Sequence, residues 1–331
     1  MRALGVMAVA VTLVSVGASA APVAQAASVA TAPTCRSVAL PVPKGTTESS
    51  VNGADPTGRL LVGVGFHQGG AEGLLWVNGR LRSINEHSLA PEVEVQFNAV
   101  NSRGETVGQR TTDDSSLHTD AFIYRNGRFT VLRAPSKGES TEALAIDSRG
   151  DVIGDAAGPS GWQAVEWPAG RPGTARVLAV PGGGSSFATG IDEDGTVVGY
   201  LGSFPPGTPY VWPAHGRPHA LRVPAGSAGG EAVAIRDGWV AGNVFDPATG
   251  STVPAVWNLH TGRFTLWRNV PGSALSINRF GTLGVAGGAL VHANGRVVPV
   301  TGWVNAVTDR GTAAGATSEF AGHAVRWPDC R

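Results

Sequence analysis

The chain has 331 residues, and its 25 Lys and Arg residues balance 25 Asp and Glu, so its formal net charge is zero. This balance provides no field that would recruit nucleic acid or an anionic membrane, and we expect neither as a partner. The 47 Gly and 22 Pro residues indicate frequent turns, whereas a hydrophobic content of 42% is ample for a core and excludes a disordered linker protein.

The N-terminus has the pattern of a secretory signal peptide. Arg2 supplies a positive charge, residues 3–16 are apolar and uncharged, and small residues offer cleavage after Ala20 or Ala26. A retained membrane anchor is the alternative, but the run is short and no other segment approaches the ~20 apolar residues that span a bilayer. We therefore predict a signal peptide over 1–26, a short mature segment over 27–34, and a secreted protein with no membrane span after cleavage.

An internal repeat follows. The segment Phe-Asn-Ala-Val-Asn-Ser-Arg-Gly-Glu-Thr-Val-Gly at 97–108 recurs in related form at 143–154 and 188–199, and weaker copies bring the number to seven. The turn glycines recur about every 45 residues, a spacing typical of repeat architectures, and only the last interval is shorter. These glycines are Gly58, Gly104, Gly150, Gly195, Gly238, Gly281 and Gly311.

Each copy predicts four short strands, named a to d here. A column of small residues precedes an Asn/Asp turn between a and b, since a short polar side chain bonds local backbone and Gly accepts positive φ. A Val-Val-Gly segment forms b, a variable loop leads to c, and Asn-Gly pairs such as Asn126-Gly127 favour a c–d hairpin. The small column comprises Gly53, Ala99, Ala145, Gly190, Ala234, Ser276 and Ala306.

A second column, in strand c, holds an aromatic residue in six of the seven copies and a histidine in the other. Its members are Trp76, Tyr124, Trp167, Trp212, Trp257, His292 and Trp327. A four-stranded unit cannot bury both faces alone, so seven must stack, and a ring leaves no unit uncovered. We predict an all-β fold, a seven-bladed β-propeller spanning 35–331, over a pair of β-sandwiches or a linear solenoid, with the small column on the innermost strands.

The two cysteines indicate how the ring closes. Cys330 takes the place of the hairpin glycine after the last c strand, and Cys35 opens a segment, 35–45, that aligns with strand d. The last repeat lacks a d strand and the N-terminus supplies one, so together they complete the seventh blade. In an exported protein two cysteines normally pair, and we predict a Cys35–Cys330 disulfide in place of the missing hairpin, with two unpaired buried cysteines as the alternative.

The repeat resembles the extracellular HAF-repeat family, whose units join Ile-Asn-x-x-Gly-x-Val-Val-Gly to Ala-Phe-x-Trp/Tyr-x-x-Gly. Ala121-Phe122 with Tyr124 and Gly127 is the nearest copy, and the similarity covers nearly all of 46–328. Arg236 departs from the pattern, because it stands in the Asn position. The resemblance implies an exported or surface repeat protein and carries no established catalytic residues.

Catalytic and cofactor motifs are absent from the sequence. There is no His-Glu-x-x-His, Walker loop or Gly-x-Ser-x-Gly, and the glycine-rich run at 182–184 joins two strands rather than opening a helix. The acidic run at 192–194 suits turn chemistry better than calcium. We therefore predict no catalytic residue, no metal and no cofactor.

The b–c loops differ in every repeat, whereas the a–b turns are nearly constant, which indicates one diversified face and one structural face. The diversified rim carries aromatic and acidic side chains suited to protein, peptide or glycan surfaces, although aromatics can also cover loop bases. The candidate ligand-binding residues are His67, Asp113, Asp114, His118, Trp162, Tyr200, Phe204, Phe245, Asp246 and Phe320.

These patterns favour a monomeric, non-catalytic extracellular scaffold that recognises a protein, peptide or glycan. The alternatives are a secreted propeller enzyme, a lyase or hydrolase at the channel mouth, and a structural surface protein without a small ligand. Titratable groups converging at one channel mouth with shifted pKa values would favour the enzyme. An aromatic rim without a convergent acid and base would favour recognition.

Overall fold

The computed structural model describes residues 35–82, 84, 94–111, 118–158, 161–203, 207–328 and 330. These residues form 28 β-strands in seven antiparallel sheets of four strands each, which confirms the predicted seven-bladed all-β propeller. The predicted signal peptide and the segment 27–34 lie outside the described residues. Within the described ranges, no helix is long and apolar enough to cross a membrane.

Blades 1 to 6 each take four consecutive strands, in the order a, b, c, d from the inside of the ring outwards. Blades 1 to 3 consist of β2 (Glu48–Ala54), β3 (Leu60–His67), β4 (Gly70–Val77), β5 (Arg80–Arg82); β6 (Glu94–Val100), β7 (Thr106–Thr111), β8 (Thr119–Arg125), β9 (Arg128–Val131); and β10 (Thr141–Ile146), β11 (Val152–Gly158), β12 (Gly161–Trp167), β13 (Arg176–Val177).

Blades 4 to 6 consist of β14 (Ser186–Ile191), β15 (Val197–Leu201), β16 (Thr208–Trp212), β17 (His219–Ala220); β18 (Gly229–Arg236), β19 (Trp239–Asp246), β20 (Ser251–Asn258), β21 (Arg263–Leu266); and β22 (Ala274–Ile277), β23 (Leu283–Val285), β24 (Ala289–Val291), β25 (Val297–Pro299). Blade 7 joins β26 (Trp303–Val307), β27 (Ala313–Ala316) and β28 (Ala324–Trp327) to β1 (Val38–Ala39). Consecutive a strands contact one another around the ring, and β26 contacts β2 to close it.

The closure follows the predicted alignment. Strand β1 pairs antiparallel with β28 through Val38 and Ala39, and the Leu40 N–H donates to the Ala324 carbonyl at 2.9 Å. Cys35 and Cys330 form a disulfide with Cα atoms 5.5 Å apart, within the range that such a bond requires. The seventh blade is therefore assembled from both ends of the described chain.

Replacing both cysteines with serine should lower the free energy of unfolding by about 2–4 kcal/mol, because the unfolded chain loses a loop of nearly its whole length. Urea denaturation measures the loss, and wild-type protein in dithiothreitol should behave like the double variant. Two titratable thiols in oxidised, denatured wild-type protein would contradict the bridge.

A β-bulge interrupts every a strand at the same point. The register between a and b shifts by one residue at Asn52, Asn98, Leu144, Thr189, Val233, Leu275 and Asn305, directly before the small column. A Cβ added at Gly53 would lie 2.5 Å from the Asn98 carbonyl oxygen of the next blade. The small residues therefore mark the closest approach of neighbouring innermost strands, as predicted.

The glycine of each Val-Val-Gly segment lies opposite the bulge. At Gly154 an added Cβ would lie 1.8 Å from the Glu142 carbonyl oxygen, and the equivalent glycines of blades 1, 2, 4, 5 and 7 meet carbonyl oxygens of the a strand at 1.8 to 2.1 Å. The bulged backbone fills the space that a side chain would need. This clash explains why the glycine recurs in six of the seven units, whereas blade 6 has Val285 at the equivalent register position.

Gly154→Ala should therefore destabilise the protein by about 1–3 kcal/mol or more, since the bulged strand cannot move away without leaving the neighbouring blade. Gly173→Ala is the matched control, because its added Cβ meets nothing within 4 Å. We expect the control to change stability by less than about 0.5 kcal/mol in the same denaturation experiment. Equal effects of both substitutions would contradict the bulge explanation.

The aromatic column pins four of the blades to their predecessors. Trp76 is fully buried, and its indole N–H donates to the Pro41 carbonyl beyond the d strand of blade 7 at 2.7 Å. The same bond recurs from Trp167 to Arg133, Trp212 to Ala179 and Trp257 to Arg222. In these four blades the column supplies both core volume and a satisfied indole, whereas the buried Trp327 indole of blade 7 has no hydrogen-bond partner among the described residues.

Candidate functional site

The two ends of the ring carry different chemistry. The a–b turns form one end, and the b–c and d–a connections form the other. At the a–b end Asp147 holds its turn by accepting hydrogen bonds from the Arg149, Gly150 and Asp151 N–H groups at 2.8–2.9 Å. This is the predicted Asx-turn chemistry.

Arg236, which stands in the Asn position of blade 5, connects three blades at the a–b end. Its Nη1 lies 2.6 Å from Glu193 Oε1 in blade 4, and its Nη2 lies 2.9 Å from Asp309 Oδ2 in blade 7. Burial raises the pKa of Glu193, but hydrogen bonds from Ser148 and Arg236 outweigh it and hold that pKa below its ordinary value. Where the repeat has Asn, Arg236 thus forms an ion pair that joins blade 5 to blade 7, on the far side of blade 6.

Asp192 compensates for the missing Asn of blade 5. Its carboxylate accepts hydrogen bonds from the Asp237 and Gly238 N–H groups at 2.9 and 2.7 Å. The acidic run at 192–194 therefore stabilises the turns of its own blade and of the next one by hydrogen bonds. The sequence pattern favoured this role over calcium binding.

At the opposite end, each blade has one half-buried position on or directly before its a strand. It lies two residues before the bulge. We call these seven positions the mouth ring. They are Ser50, Gln96, Glu142, Phe187, Glu231, Ser273 and Trp303.

An aromatic stack lies at the mouth ring in blades 3 and 4. Phe187 stacks on Tyr200 with ring centroids 4.7 Å apart and planes inclined by 16°, and the Trp162 ring lies 6.4 Å from Phe187. All three side chains are half-buried. The structure therefore brings together two of the predicted rim residues, and Phe187, which the sequence prediction missed, lies between them.

Carboxyl groups accompany the stack. Glu142 and Asp155 are directly opposite each other on neighbouring strands, and Asp155, only 5% exposed, accepts a hydrogen bond from the Ala188 N–H at 2.9 Å. Glu231 in blade 5 accepts one from the Asn243 amide at 2.9 Å. We call Glu142, Asp155, Glu231 and the three aromatic residues the acid–aromatic cluster.

Burial shifts the titration of this cluster. It raises the pKa of Glu142 and of Glu231, and it raises the pKa of Asp155 well above its ordinary value. Burial, assisted by the negative charges of Glu231 and Asp155, also raises the pKa of Tyr200 to about 12. The cluster therefore disfavours negative charge, and any group that neutralises these carboxylates would be stabilised there.

A cavity of about 260 Å³ opens at the same end between blades 7 and 1. Trp303 and Phe66 contribute aromatic surface, Ser50 and Asn305 contribute polar groups, and Glu48 and Glu319 lie at its edge. Trp303 belongs to the mouth ring, at the repeat position that Phe187 occupies in blade 4. We call this space the blade 7–1 cavity.

The remaining predicted rim residues are dispersed. His118 lies 3.3 Å from Asp120, which also pairs with Arg110, whereas His67 accepts a hydrogen bond within its own loop. Asp246 pairs with Arg268 at 2.7 Å. Phe245 is half-buried and Phe320 is 69% exposed, and neither joins the stack. Asp113, Asp114 and Phe204 lie outside the described residues.

No family model and no curated protein matches the chain. Among solved structures, it is similar to a prolyl endopeptidase, with 13% identity over 66% of this chain and 35% of that chain and a TM-score of 0.49. It is also similar to TolB from Acinetobacter baumannii, with 11% identity over 87% of this chain and 65% of that chain and a TM-score of 0.46. A third similar structure is XC5397, a gluconolactonase from Xanthomonas campestris, with 15% identity over 77% of this chain and 87% of that chain and a TM-score of 0.43. The chain spans about a third of the prolyl endopeptidase. Such distant likeness concerns the fold alone.

Asp155→Asn should stabilise the protein increasingly as pH rises. Because burial raises the pKa of Asp155 in the folded protein, its ionisation costs stability once the pH exceeds the pKa of Asp155 in the unfolded chain. Asn stays neutral at every pH and keeps an oxygen that accepts the hydrogen bond from the Ala188 N–H. Melting temperatures measured from pH 4 to pH 8 should show a difference that is small in acid and grows towards pH 8. A difference independent of pH would show that Asp155 does not carry this cost.

Proposed function

We propose that the protein is an extracellular, non-catalytic recognition propeller of the HAF-repeat type, which binds a protein, peptide or glycan at the b–c end of its channel. The observation that carries the proposal is the half-buried stack of Phe187, Tyr200 and Trp162 at a channel mouth. Rigid aromatic rings that are partly open to solvent are the anchors that recognition surfaces use most. The signal-like N-terminus and the Cys35–Cys330 bridge support an extracellular setting.

The arrangement of the two ends supports binding at this mouth. The a–b end is occupied by turn hydrogen bonds and by the Glu193–Arg236–Asp309 ion pairs, so its polar groups are committed to the fold. At the b–c end the loops differ from blade to blade and the mouth ring mixes aromatic, acidic and neutral side chains. Diversified side chains on a constant scaffold are typical of binding surfaces.

Acid–base catalysis is the second candidate, and the Glu142–Asp155 pair favours it. Two opposed carboxyl groups with raised pKa values can share a proton, which is the arrangement that many hydrolases use. Recognition remains the better account, because Asp155 is nearly buried and its Oδ1 is engaged by the backbone of blade 4. A catalytic pair needs direct contact with its substrate.

Alanine at Trp162, Phe187 or Tyr200 should weaken a bound ligand by roughly thirtyfold, the loss expected of a central anchor. Ligands would be identified on peptide and glycan arrays, and affinities measured by calorimetry. Phe280→Ala is the matched control, because Phe280 is 55% exposed on the a–b end. We expect the control to bind like wild type, and all four variants to melt within a few degrees of it.

Two results would overturn the proposal. Loss of folding in all three stack variants would place these rings in the core rather than in a binding surface. Turnover of the bound peptide or glycan, detected by mass spectrometry and abolished by Glu142→Gln with binding retained, would establish the enzyme instead.

A further inference from the structure

The b–c end holds carboxylates that the protein does not neutralise. Glu142, Asp155 and Glu231 in the acid–aromatic cluster, and Glu48 and Glu319 at the blade 7–1 cavity, form no ion pair within the described residues. Among the described residues that line the cavity, none is Arg, Lys or His. The mouth is therefore acidic although the whole chain has no net charge.

The contrast with the a–b end shows that this is a local feature. There, Glu105 lies 2.5 Å from Arg103 and 3.0 Å from Arg125, and Asp147 lies 2.8 Å from Arg149. The chain thus supplies arginine partners for carboxylates at the a–b end and for Asp120 and Asp246 in the b–c loops, but not for those of the acid–aromatic cluster and the blade 7–1 cavity. A mouth with open carboxylates has a field that attracts cations and repels anions.

The acid–aromatic cluster and the blade 7–1 cavity repeat the same chemistry three blades apart. Phe187 and Trp303 occupy equivalent positions of the mouth ring. Tyr200 accompanies Phe187 in the cluster, and Phe66 accompanies Trp303 in the cavity. Both the cluster and the cavity also include carboxyl groups. An aromatic face combined with carboxylates stabilises an ammonium or guanidinium group through cation–π attraction and charge. Two such groups suit a ligand with more than one cationic side chain.

We infer that the ligand at the b–c end is a basic peptide segment, whose Lys or Arg side chains enter both the acid–aromatic cluster and the blade 7–1 cavity. This inference rests on the proposed function and names its ligand class and a second subsite. A metal ion fits less well, because no three metal-binding side chains converge anywhere in the described ranges. A neutral glycan would use the rings but leave the carboxylates without a counter-charge.

The probe is an N-acetylated, C-amidated tetralysine peptide, titrated calorimetrically into the intact protein. Acetylated tetraserine amide and cellotetraose serve as neutral probes of similar length. Tetralysine should bind, the neutral probes should not, and affinity should fall steeply when NaCl is raised from about 0.05 to 0.5 M, because salt screens the mouth. Trp303→Ala and Tyr200→Ala should each weaken tetralysine at least tenfold.

Two Glu→Gln variants test whether binding depends on the carboxylates of the cavity or on any negative charge of the protein. Glu319→Gln removes one negative charge at the cavity, and Glu166→Gln removes one from an ion pair on the outer strands of blade 3. Only Glu319→Gln should reduce affinity, by severalfold, and Phe280→Ala should leave it unchanged. Equal effects of the two Glu→Gln variants would overturn the subsite.

Other outcomes distinguish this inference from the proposed function. If tetralysine binds and Tyr200→Ala weakens it while Trp303→Ala does not, the recognition mouth stands and the second subsite is wrong. If cellotetraose binds in a Tyr200-dependent manner and tetralysine does not, recognition stands and the cationic class is wrong. If neither these probes nor the peptide and glycan arrays yield a ligand, both proposals fail.

Discussion

The close packing of the seven innermost strands is the constraint on which the rest of the propeller depends. Neighbouring a strands approach so closely at the small column that a Cβ at Gly53 would meet the Asn98 carbonyl at 2.5 Å. The bulge before that column bends each strand, and its displaced backbone in turn forces glycine onto strand b, as at Gly154. The small column and the glycine of strand b therefore have one cause, which is the close approach of the innermost strands around the axis of the ring.

The same constraint determines where variation is possible. A residue at the bulge or the small column lies against the backbone of the neighbouring blade, whereas a residue of the mouth ring is half-buried and partly open to solvent. Side chains at the bulge itself show the intermediate case: Asn52 donates to the Phe97 carbonyl of the next blade at 2.9 Å, while Leu144 occupies the equivalent place in blade 3. Polar and apolar side chains both fit there, provided that the backbone keeps its path.

Features that recur in every copy could be predicted from the sequence, because repetition shows which positions the packing restricts. The small column, the aromatic column and the number of blades belong to this class, and the Cys35–Cys330 closure followed from aligning both ends of the chain with the repeat. The mouth ring does not belong to this class, since its seven side chains differ in chemistry and share only their place relative to the bulge.

Arg236 illustrates the limit most clearly. The repeat pattern shows only that Arg236 replaces the usual Asn. The structure is needed to show that Arg236 pairs with Glu193 and Asp309 in two other blades. Partners so far apart in sequence share no local pattern. Two of the predicted rim residues show a different limit: Asp246 and His118 pair with Arg268 and Asp120, and the sequence pattern of a diversified loop does not reveal such local pairs.

The energetic contrast between the two ends favours a functional explanation of the mouth. Desolvated carboxyl groups without a counter-charge reduce stability at neutral pH, and burial raises the pKa of Glu142, Asp155 and Glu231 for that reason. An arginine at a neighbouring mouth position would relieve this cost, as the a–b end shows at Glu105: burial raises its pKa, but Asn101, Arg103 and Arg125 outweigh burial and hold that pKa below its ordinary value. Local rules of stability are broken most often where a protein binds or reacts. A cationic ligand would supply at the mouth what arginine supplies at the other end, so the same charges that destabilise the free protein would strengthen its complex.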